Sequence, residues 1–177
     1  TPYRFMGVDV SEKEVILHTG ETEEWPCLYT YFLPKGKWME KDYQVSRLWK
    51  GGVGSFGYLE PDAEYRTEWN SNHIWIRREF TLDQSFEGKD VFLNFSHDDD
   101  ATIWVNGIQV AQWDDSYQCG GEIKIPAEAA ATLQPGKNVI AATCWNRSGD
   151  GIIDFGLSFA DGGNVPKPLV AQQKSAD

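Results

Sequence analysis

The stretch FLNFSHDDDATIWVNGIQV, which runs from Phe92 to Val110, decides the fold of this chain. Apolar and polar residues alternate on both sides of its centre, and a period of two is typical of β-strands. Asn106-Gly107 lies between two alternating runs and predicts a tight hairpin, because both turn positions need a positive φ, which Asn and Gly tolerate. The acidic run at residues 97–100 interrupts the pattern, and it predicts either a turn between two strands or a site with its own chemistry.

The same alternation continues along the chain and predicts an all-β fold. Strands are predicted at Tyr3–Val8, Glu14–Leu17, Leu28–Phe32, Ile74–Leu82, Asp90–Ser96, Ala101–Val105, Ile108–Trp113, Gly121–Ile125, Asn138–Trp145 and Ile152–Ala160. One short helix is predicted at Pro126–Leu133, where Pro suits the first turn and Ala fills the rest. Residues 36–69, rich in Gly and aromatics, are predicted as long loops. Short strands at intervals of roughly 8–12 residues indicate an antiparallel β-sandwich or jelly roll.

Length and composition limit the classes of function. The chain has 177 residues, enough for one domain with a sizeable core, and a net charge of -11. This acidity argues against nucleic acid and anionic membrane surfaces as partners, since both attract clusters of Lys and Arg. No apolar run approaches the roughly 20 residues of a membrane span. The 8 Trp, 7 Tyr and 9 Phe suit a β core and also surfaces that stack on ring-shaped ligands.

Three cysteines, Cys27, Cys119 and Cys144, are too few and too widely spaced for a disulfide framework or a CxxC metal motif. A disulfide between Cys119 and Cys144 is an open alternative if the protein is exported.

Loops of an antiparallel sandwich alternate between its two ends. Counting from the strand Ile74–Leu82 brings Trp69, Asn70, His97–Asp100 and the loops Asp114–Gly120 and Asn146–Gly151 to one end. Aromatic rings beside Asp, Asn and Arg are typical of sugar recognition, because rings stack on C–H faces while polar groups bind hydroxyls. The sequence therefore predicts a sugar site in which Trp145, Trp113 and Tyr117 stack and Asp114, Asn146, Arg147 and Asp150 form hydrogen bonds.

The acidic run itself is interpreted as a turn that braces the sandwich, because Asp tolerates left-handed backbone and binds backbone N–H groups. Structural calcium held by Asp98, Asp99 and Asp100 is the alternative, since a hard cation prefers several carboxylates. EF-hand spacing is absent, and three His in all are few for a catalytic zinc site. No catalytic residue is predicted, because the chain lacks a G-x-S-x-G nucleophile motif. A pair of glycosidase carboxylates is left open. No other cofactor is predicted.

Two neighbouring stretches have simpler interpretations. In IWIRREF, alternation places Trp75 and Arg77 on one face of a strand and Arg78 on the other. We expect these arginines to pair with an acidic neighbour such as Asp99 or Asp154 and so to hold the sheets in register. GGVGSFG, at residues 51–57, lacks the Lys-Ser/Thr and the helix of a phosphate-binding loop, and is interpreted as a flexible loop or edge bulge.

The segments HIWIRREFTL, VFLNFSHDDDATIWVNGIQV and LQPGKNVIAATCWNRSGDGIIDFGL together resemble the galactose-binding-like jelly roll, the accessory sandwich of family 2 glycoside hydrolases. The terminal segments PYRFMG and VAQQKSAD are similar to flanks in bacterial glutaminase A-like proteins. The resemblance implies a sandwich at residues 1–162, and a linker at residues 163–177 that leads to a following domain.

That resemblance also implies a function. We expect a non-catalytic accessory domain that binds carbohydrate and belongs to an exported bacterial hydrolase, located outside the cytoplasm. Its expected partners are sugars and other domains of the same polypeptide. A second hypothesis is a structural spacer that packs on a catalytic domain and binds no sugar. A third, an independent hydrolase, would require turnover by this chain alone.

Overall fold

The computed structural model describes residues 12–59 and 64–161. Within them, ten strands and one short helix confirm the predicted all-β class. The strand predicted at Tyr3–Val8 and the linker predicted at residues 163–177 lie outside the described residues. The elements are β1 (Glu14–Leu17), β2 (Trp25–Thr30), β3 (Lys50–Gly54), β4 (Phe56–Tyr58), β5 (Thr67–Glu68), β6 (His73–Leu82), β7 (Asp90–Val105), β8 (Ile108–Lys124), α1 (Ala127–Ala131), β9 (Gly136–Trp145) and β10 (Gly151–Ala160).

The strands hydrogen-bond in the order β3-β2-β6-β9-β7-β10-β4-β5, with β1 beside β10 and β8 beside β7. Strand β7 joins the two halves of this sheet, because residues 90–98 pair with β10 and residues 100–105 pair with β9. Apolar side chains from both halves enter one core, among them Ile76 and Ile103 from one half and Leu93 and Phe155 from the other. The halves therefore face each other as the layers of a sandwich.

The predicted breaks at residues 97–100 and 114–120 are wrong, because β7 and β8 each run through them without interruption. The two strands stay paired there, with Asp98 opposite Tyr117 and Asp99 opposite Ser116. A strand can keep these polar residues because the change of neighbour from β10 to β9 brings other segments within hydrogen-bonding distance of the carboxylates. We call residues 98–100 the β7 corner.

The predicted hairpin and helix are confirmed. Asn106 and Gly107 have φ of 47° and 87°, as the tight turn requires. The Asn106 side chain accepts a hydrogen bond from the Val139 N–H at 2.9 Å and donates one to the Thr132 carbonyl at 3.1 Å. The helix is shorter than predicted, with Pro126 as its N-cap residue. No helix of the described part is long and apolar enough to cross a membrane.

Residues 36–69 contain three short strands, β3 to β5, where long loops were predicted. Their glycines allow aromatic rings to approach the backbone closely. A Cβ atom added at Gly52 would lie 2.6 Å from the Tyr29 ring, and one added at Gly54 would lie 2.1 Å from the Trp25 ring. This Gly-rich stretch can form a strand because neighbouring aromatic rings occupy the space where side chains would otherwise lie.

The two arginines of β6 lie on opposite faces, as predicted. Arg77 donates to the carbonyl of Glu40 at 2.7 Å and pairs with Glu79 at 2.9 Å, not with Asp99 or Asp154. Arg78 donates to the carbonyls of His18 and Phe155 at 2.8 and 2.7 Å. Burial lowers the pKa of Arg78 to about 10, and the nearby Asp154 carboxylate opposes that shift. Arg77 therefore has an acidic partner, Glu79, although not one of the two residues named, and it also braces the loop that contains Glu40. Arg78 has Asp154 nearby.

Candidate functional site

The loop after β9 is fastened to the β7 corner by Arg147. Its guanidinium donates to both oxygens of Asp100, with Nε–Oδ1 at 3.0 Å and Nη2–Oδ2 at 2.8 Å, and its backbone N–H donates to Asp99 Oδ2 at 2.7 Å. The Asp115 N–H donates to Asp100 Oδ1 at 2.6 Å. The hydrogen bonds from Arg147 hold the pKa of Asp100 below its usual value. The structure therefore brings three of the segments predicted for this end into contact.

His97 is a core residue and not an exposed acid or base. Its ring stacks on Trp113 with centroids 4.3 Å apart, and Nδ1 lies 3.0 Å from the carbonyl oxygen of Asp99. Burial lowers the pKa of His97, which favours the neutral ring. Among residues 12–59 and 64–161, no group of three or more His, Cys, Asp or Glu side chains is placed to hold a metal ion. Calcium at Asp98–Asp100 stays a prediction that chelation can test.

Trp145 lies at the outer edge of the site with 42% of its surface exposed. The Arg147 guanidinium lies 4.8 Å from the centre of its ring, a cation–π contact, and the His73 ring is nearly parallel to it at 6.4 Å. A sugar that stacks on Trp145 has to share this ring with Arg147, whose position is fixed by Asp100.

The other predicted stacking residues differ in exposure. The Trp113 ring packs on Phe95 and His97, with both centroids 4.3 Å away, so it covers the core and is only half exposed. Tyr117 is exposed on β8, and Asp114 is exposed beside Trp113. Asp150 is half-buried at the start of β10. Of this group, Tyr117 and Asp114 are the most accessible to a ligand.

A polar cleft of about 390 Å³ opens beside Arg147. Two backbone hydrogen bonds fix its walls: the Trp69 N–H donates to the Gly57 carbonyl, and the Asn146 N–H to the Asn72 carbonyl, both at 2.8 Å. Its lining residues come from β4, from the segment between β5 and β6, and from the loop after β9; they are Tyr58, Trp69, Asn70, Ser71, Asn72, Asn146, Arg147, Ser148 and Gly149. We call this the end cleft.

The sequence predicted part of the end cleft. Trp69, Asn70, Asn146 and Arg147 were all expected at this end, and the structure brings them together. Tyr58 was missed because its three-residue strand lies in a region without alternation. Ser71 and Asn72 were missed because isolated Ser and Asn before a strand indicate a turn, whether or not a cleft is beside it.

A second cleft, of about 430 Å³, lies between β1 and the last residues of β8, and Asp154 is among its lining residues. Both oxygens of Asp154 accept the Gly20 N–H, at 2.9 and 2.8 Å, and Oδ1 also accepts Trp25 Nε1 at 3.0 Å. Burial raises the pKa of Asp154 above its usual value. We interpret this carboxylate as a brace between β10 and the residues before β2, because its hydrogen-bonding capacity is used within the fold.

No disulfide links Cys119 and Cys144. The Cys144 thiol donates to the carbonyl of Asp98 at 3.4 Å, and Cys119 Sγ accepts from the Ser96 hydroxyl at 3.7 Å. Burial raises the pKa of the Cys144 thiol strongly, so it stays protonated.

Comparisons with known proteins agree with this fold. The family model described as the β-galactosidase second all-β domain matches residues 60–150, just over half of the chain. Among solved structures, Bacteroides uniformis β-glucuronidase 2, bound covalently to cyclophellitol-6-carboxylate aziridine, is 18% identical with a TM-score of 0.56, over 84% of this chain and 18% of that one. A β-glucuronidase from an uncultured Clostridium species is 10% identical with a TM-score of 0.51, over 90% of this chain and 31% of that one.

The present chain spans less than a third of either solved chain. None of the curated proteins matches it. The solved structures are too different in sequence to show more than the fold, whereas the family model covers both the β7 corner and the Asn106-Gly107 hairpin. The chain therefore belongs to the family of the β-galactosidase second all-β domain.

Proposed function

We propose that this chain is a non-catalytic accessory domain of a glycoside hydrolase and that it binds carbohydrate at the end cleft. The observation that carries the proposal is the chemistry of the cleft, which combines aromatic rings, amides and hydroxyls. The exposed ring of Trp145 contacts the lining residue Arg147. Such a lining suits a sugar, whose C–H faces contact rings while its hydroxyls bind amides. The family supports an accessory role, because the matching model describes an all-β domain of β-galactosidases.

We interpret the role as binding and not catalysis because the two carboxylates that contact Arg147 are already bound within the fold. Asp99 and Asp100 hold Arg147, and the hydrogen bonds from Arg147 lower the pKa of Asp100, whereas a general acid needs a raised pKa. The narrower predictions, a glutaminase A-like parent protein and export from the cytoplasm, remain predictions.

A thermal-shift scan of the 177-residue chain tests this function. The panel contains neutral and acidic mono- and oligosaccharides, each with calcium and with a chelator. A ligand at 100 times its Kd should add about 2.7 kcal/mol to stability. We expect a rise in melting temperature with one class of sugar. No rise with any sugar at millimolar concentration would contradict carbohydrate binding, and a fall on chelation alone would identify a calcium site.

A structural spacer is the second candidate, and an exposed apolar segment favours it. Phe32 and Leu33 expose 60% and 76% of their surfaces after β2, and Leu48 exposes 50% in the same long segment. Apolar side chains this exposed suit a contact with another domain. If this role is correct, Leu33→Asp should weaken association with the catalytic part of the full-length protein and leave sugar binding unchanged.

A further inference from the structure

Two buried polar atoms at the end cleft have no hydrogen-bond partner in the described part of the chain. They are the indole Nε1 of Trp69, whose side chain is 1% exposed, and the amide Oδ1 of Asn146. Buried polar groups are almost always paired, because an unmade hydrogen bond leaves the desolvation of the group uncompensated. Both residues line the cleft, which makes a molecule bound there a candidate partner for each atom.

The two atoms have opposite hydrogen-bonding roles, and their side chains pack around the same glycine. A Cβ atom added at Gly151 would lie 3.4 Å from the Trp69 ring and 2.9 Å from Asn146 Nδ2, so both side chains pack around this glycine. Asn146 Nδ2 donates to the Gly149 carbonyl at 3.1 Å, which leaves Oδ1 as the acceptor. The cleft thus offers one N–H donor and one C=O acceptor, and a hydroxyl group satisfies both because it accepts and donates.

The charges around the cleft favour a neutral ligand over an anionic one. Arg147 is the only charged residue among the described lining residues, and both oxygens of Asp100 already bind its guanidinium. Asp99 and Asp115 lie beside the same arginine, and the whole chain carries a net charge of -11. A carboxylate that enters the cleft therefore meets a compensated cation in an acidic surrounding, whereas a neutral ligand experiences no such repulsion.

From these observations we infer that the end cleft is a subsite for a neutral sugar ring and discriminates against uronic acids. Hydroxyls of the ring accept a hydrogen bond from Trp69 Nε1 and donate one to Asn146 Oδ1. The inference rests on the proposed carbohydrate-binding function. It adds the class of sugar and the two atoms that form hydrogen bonds with it. The selectivity follows because the carboxylate of a uronic acid adds a negative charge beside Asp99 and Asp100 and, unlike the hydroxyl it replaces, cannot donate to Asn146 Oδ1.

Calorimetric titration of the 177-residue chain tests the subsite with matched pairs of ligands. Each pair is a neutral methyl pyranoside and the uronate with the same ring configuration. We expect the uronate to bind at least about tenfold more weakly. Trp69→Phe removes the donor and keeps an aromatic ring, and it should weaken binding of the neutral sugar about tenfold. Trp49→Phe is the matched control, because Trp49 lies in a separate buried cluster.

If Trp69→Phe does not fold, deoxy analogues of the sugar test the same contact on the unsubstituted chain. One deoxy position should lower affinity about tenfold, and the others should change it little. Equal affinity for a sugar and its uronate, or for all deoxy analogues, would overturn the subsite and leave carbohydrate binding in place. Failure of every sugar to bind would overturn the proposed function together with the subsite.

Discussion

Arg147 binds both carboxylate oxygens of Asp100, and this pair joins the loop after β9 to the β7 corner. The two residues are 47 positions apart in sequence. The corner accounts for the acidic run in the sequence, since two of its three aspartates are acceptors for Arg147. The same pair holds Arg147 at the edge of the end cleft, so a structural contact and the candidate binding surface share one residue.

Asp100→Asn should lower stability at neutral pH, because the amide keeps the size of the side chain but loses its charge. The hydrogen bonds from Arg147 depress the pKa of Asp100 in the folded state. Its contribution is therefore complete above the usual Asp pKa of about 3.9 and disappears as pH falls through the lower folded value. Urea denaturation of both proteins from pH 7 to pH 2.5 measures this. A difference in stability that does not shrink in acid would contradict the account.

Asp154→Ala should lower the free energy of unfolding by about 2–4 kcal/mol, because the Gly20 N–H and Trp25 Nε1 both lose their acceptor inside the fold. The measurement is equilibrium denaturation at pH 7. Asp42→Ala is the control, since its carboxylate is exposed, and it should change stability by less than about 0.5 kcal/mol. Equal stability of the two variants would show that the Asp154 contacts are not a brace.

Asn106 separates two contributions to the hairpin, its side-chain hydrogen bonds and its positive φ. Asn106→Ala should lower stability by about 2–4 kcal/mol, because it loses the bonds to Val139 and Thr132 and also puts Ala at φ 47°. Asn106→Gly loses the bonds but tolerates the backbone, so it should be about 1 kcal/mol more stable than the Ala variant. Thermal unfolding of the two variants makes the comparison; the reverse order would argue against a backbone requirement.

Two tryptophans at this end should respond differently to removal. Trp113→Ala should lower stability by about 2–3 kcal/mol, because the ring packs on Phe95 and His97. Trp145→Ala should change stability less and should weaken sugar binding, because Trp145 is 42% exposed and its ring contacts Arg147, which lines the end cleft. Denaturation and calorimetric titration of both variants test this. Weaker sugar binding in Trp113→Ala alone would place the ligand on the opposite side of the β7 corner.

Local patterns predicted the hairpin and most strands. The hairpin at Asn106-Gly107 could be predicted from the sequence alone, because few residue pairs adopt two successive positive φ values. The alternation of Ile74, Ile76 and Arg78 against Trp75 and Arg77 was also sufficient to assign their faces. The β7 corner was not predictable from local signals, since the partners of Asp99 and Asp100 lie far along the chain, in Arg147 and in the paired strands β8 and β9.

The candidate site was also predictable only in part. Counting strand directions brought Trp69 and Asn146 to one end, because antiparallel order depends only on the number of reversals. The unpaired state of Trp69 Nε1 and Asn146 Oδ1 could not be predicted, since it depends on packing around Gly151. The strands at residues 50–58 were not predicted because a Gly-rich sequence does not itself indicate a strand. Here Gly52 and Gly54 pack against the Tyr29 and Trp25 rings of β2.

The most direct test of carbohydrate binding at the end cleft is a two-dimensional ¹H–¹⁵N spectrum of the chain, recorded while a neutral methyl pyranoside and then its uronate are added. The indole signal of Trp69 is assigned by its loss in Trp69→Phe. We predict that this signal and the Asn146 backbone signal shift with the neutral sugar, while the Trp49 indole signal stays unchanged and the uronate has little effect. Neutral sugars that leave the Trp69 signal unmoved at saturating concentration, or that shift only signals far from the end cleft, would contradict carbohydrate binding at this site.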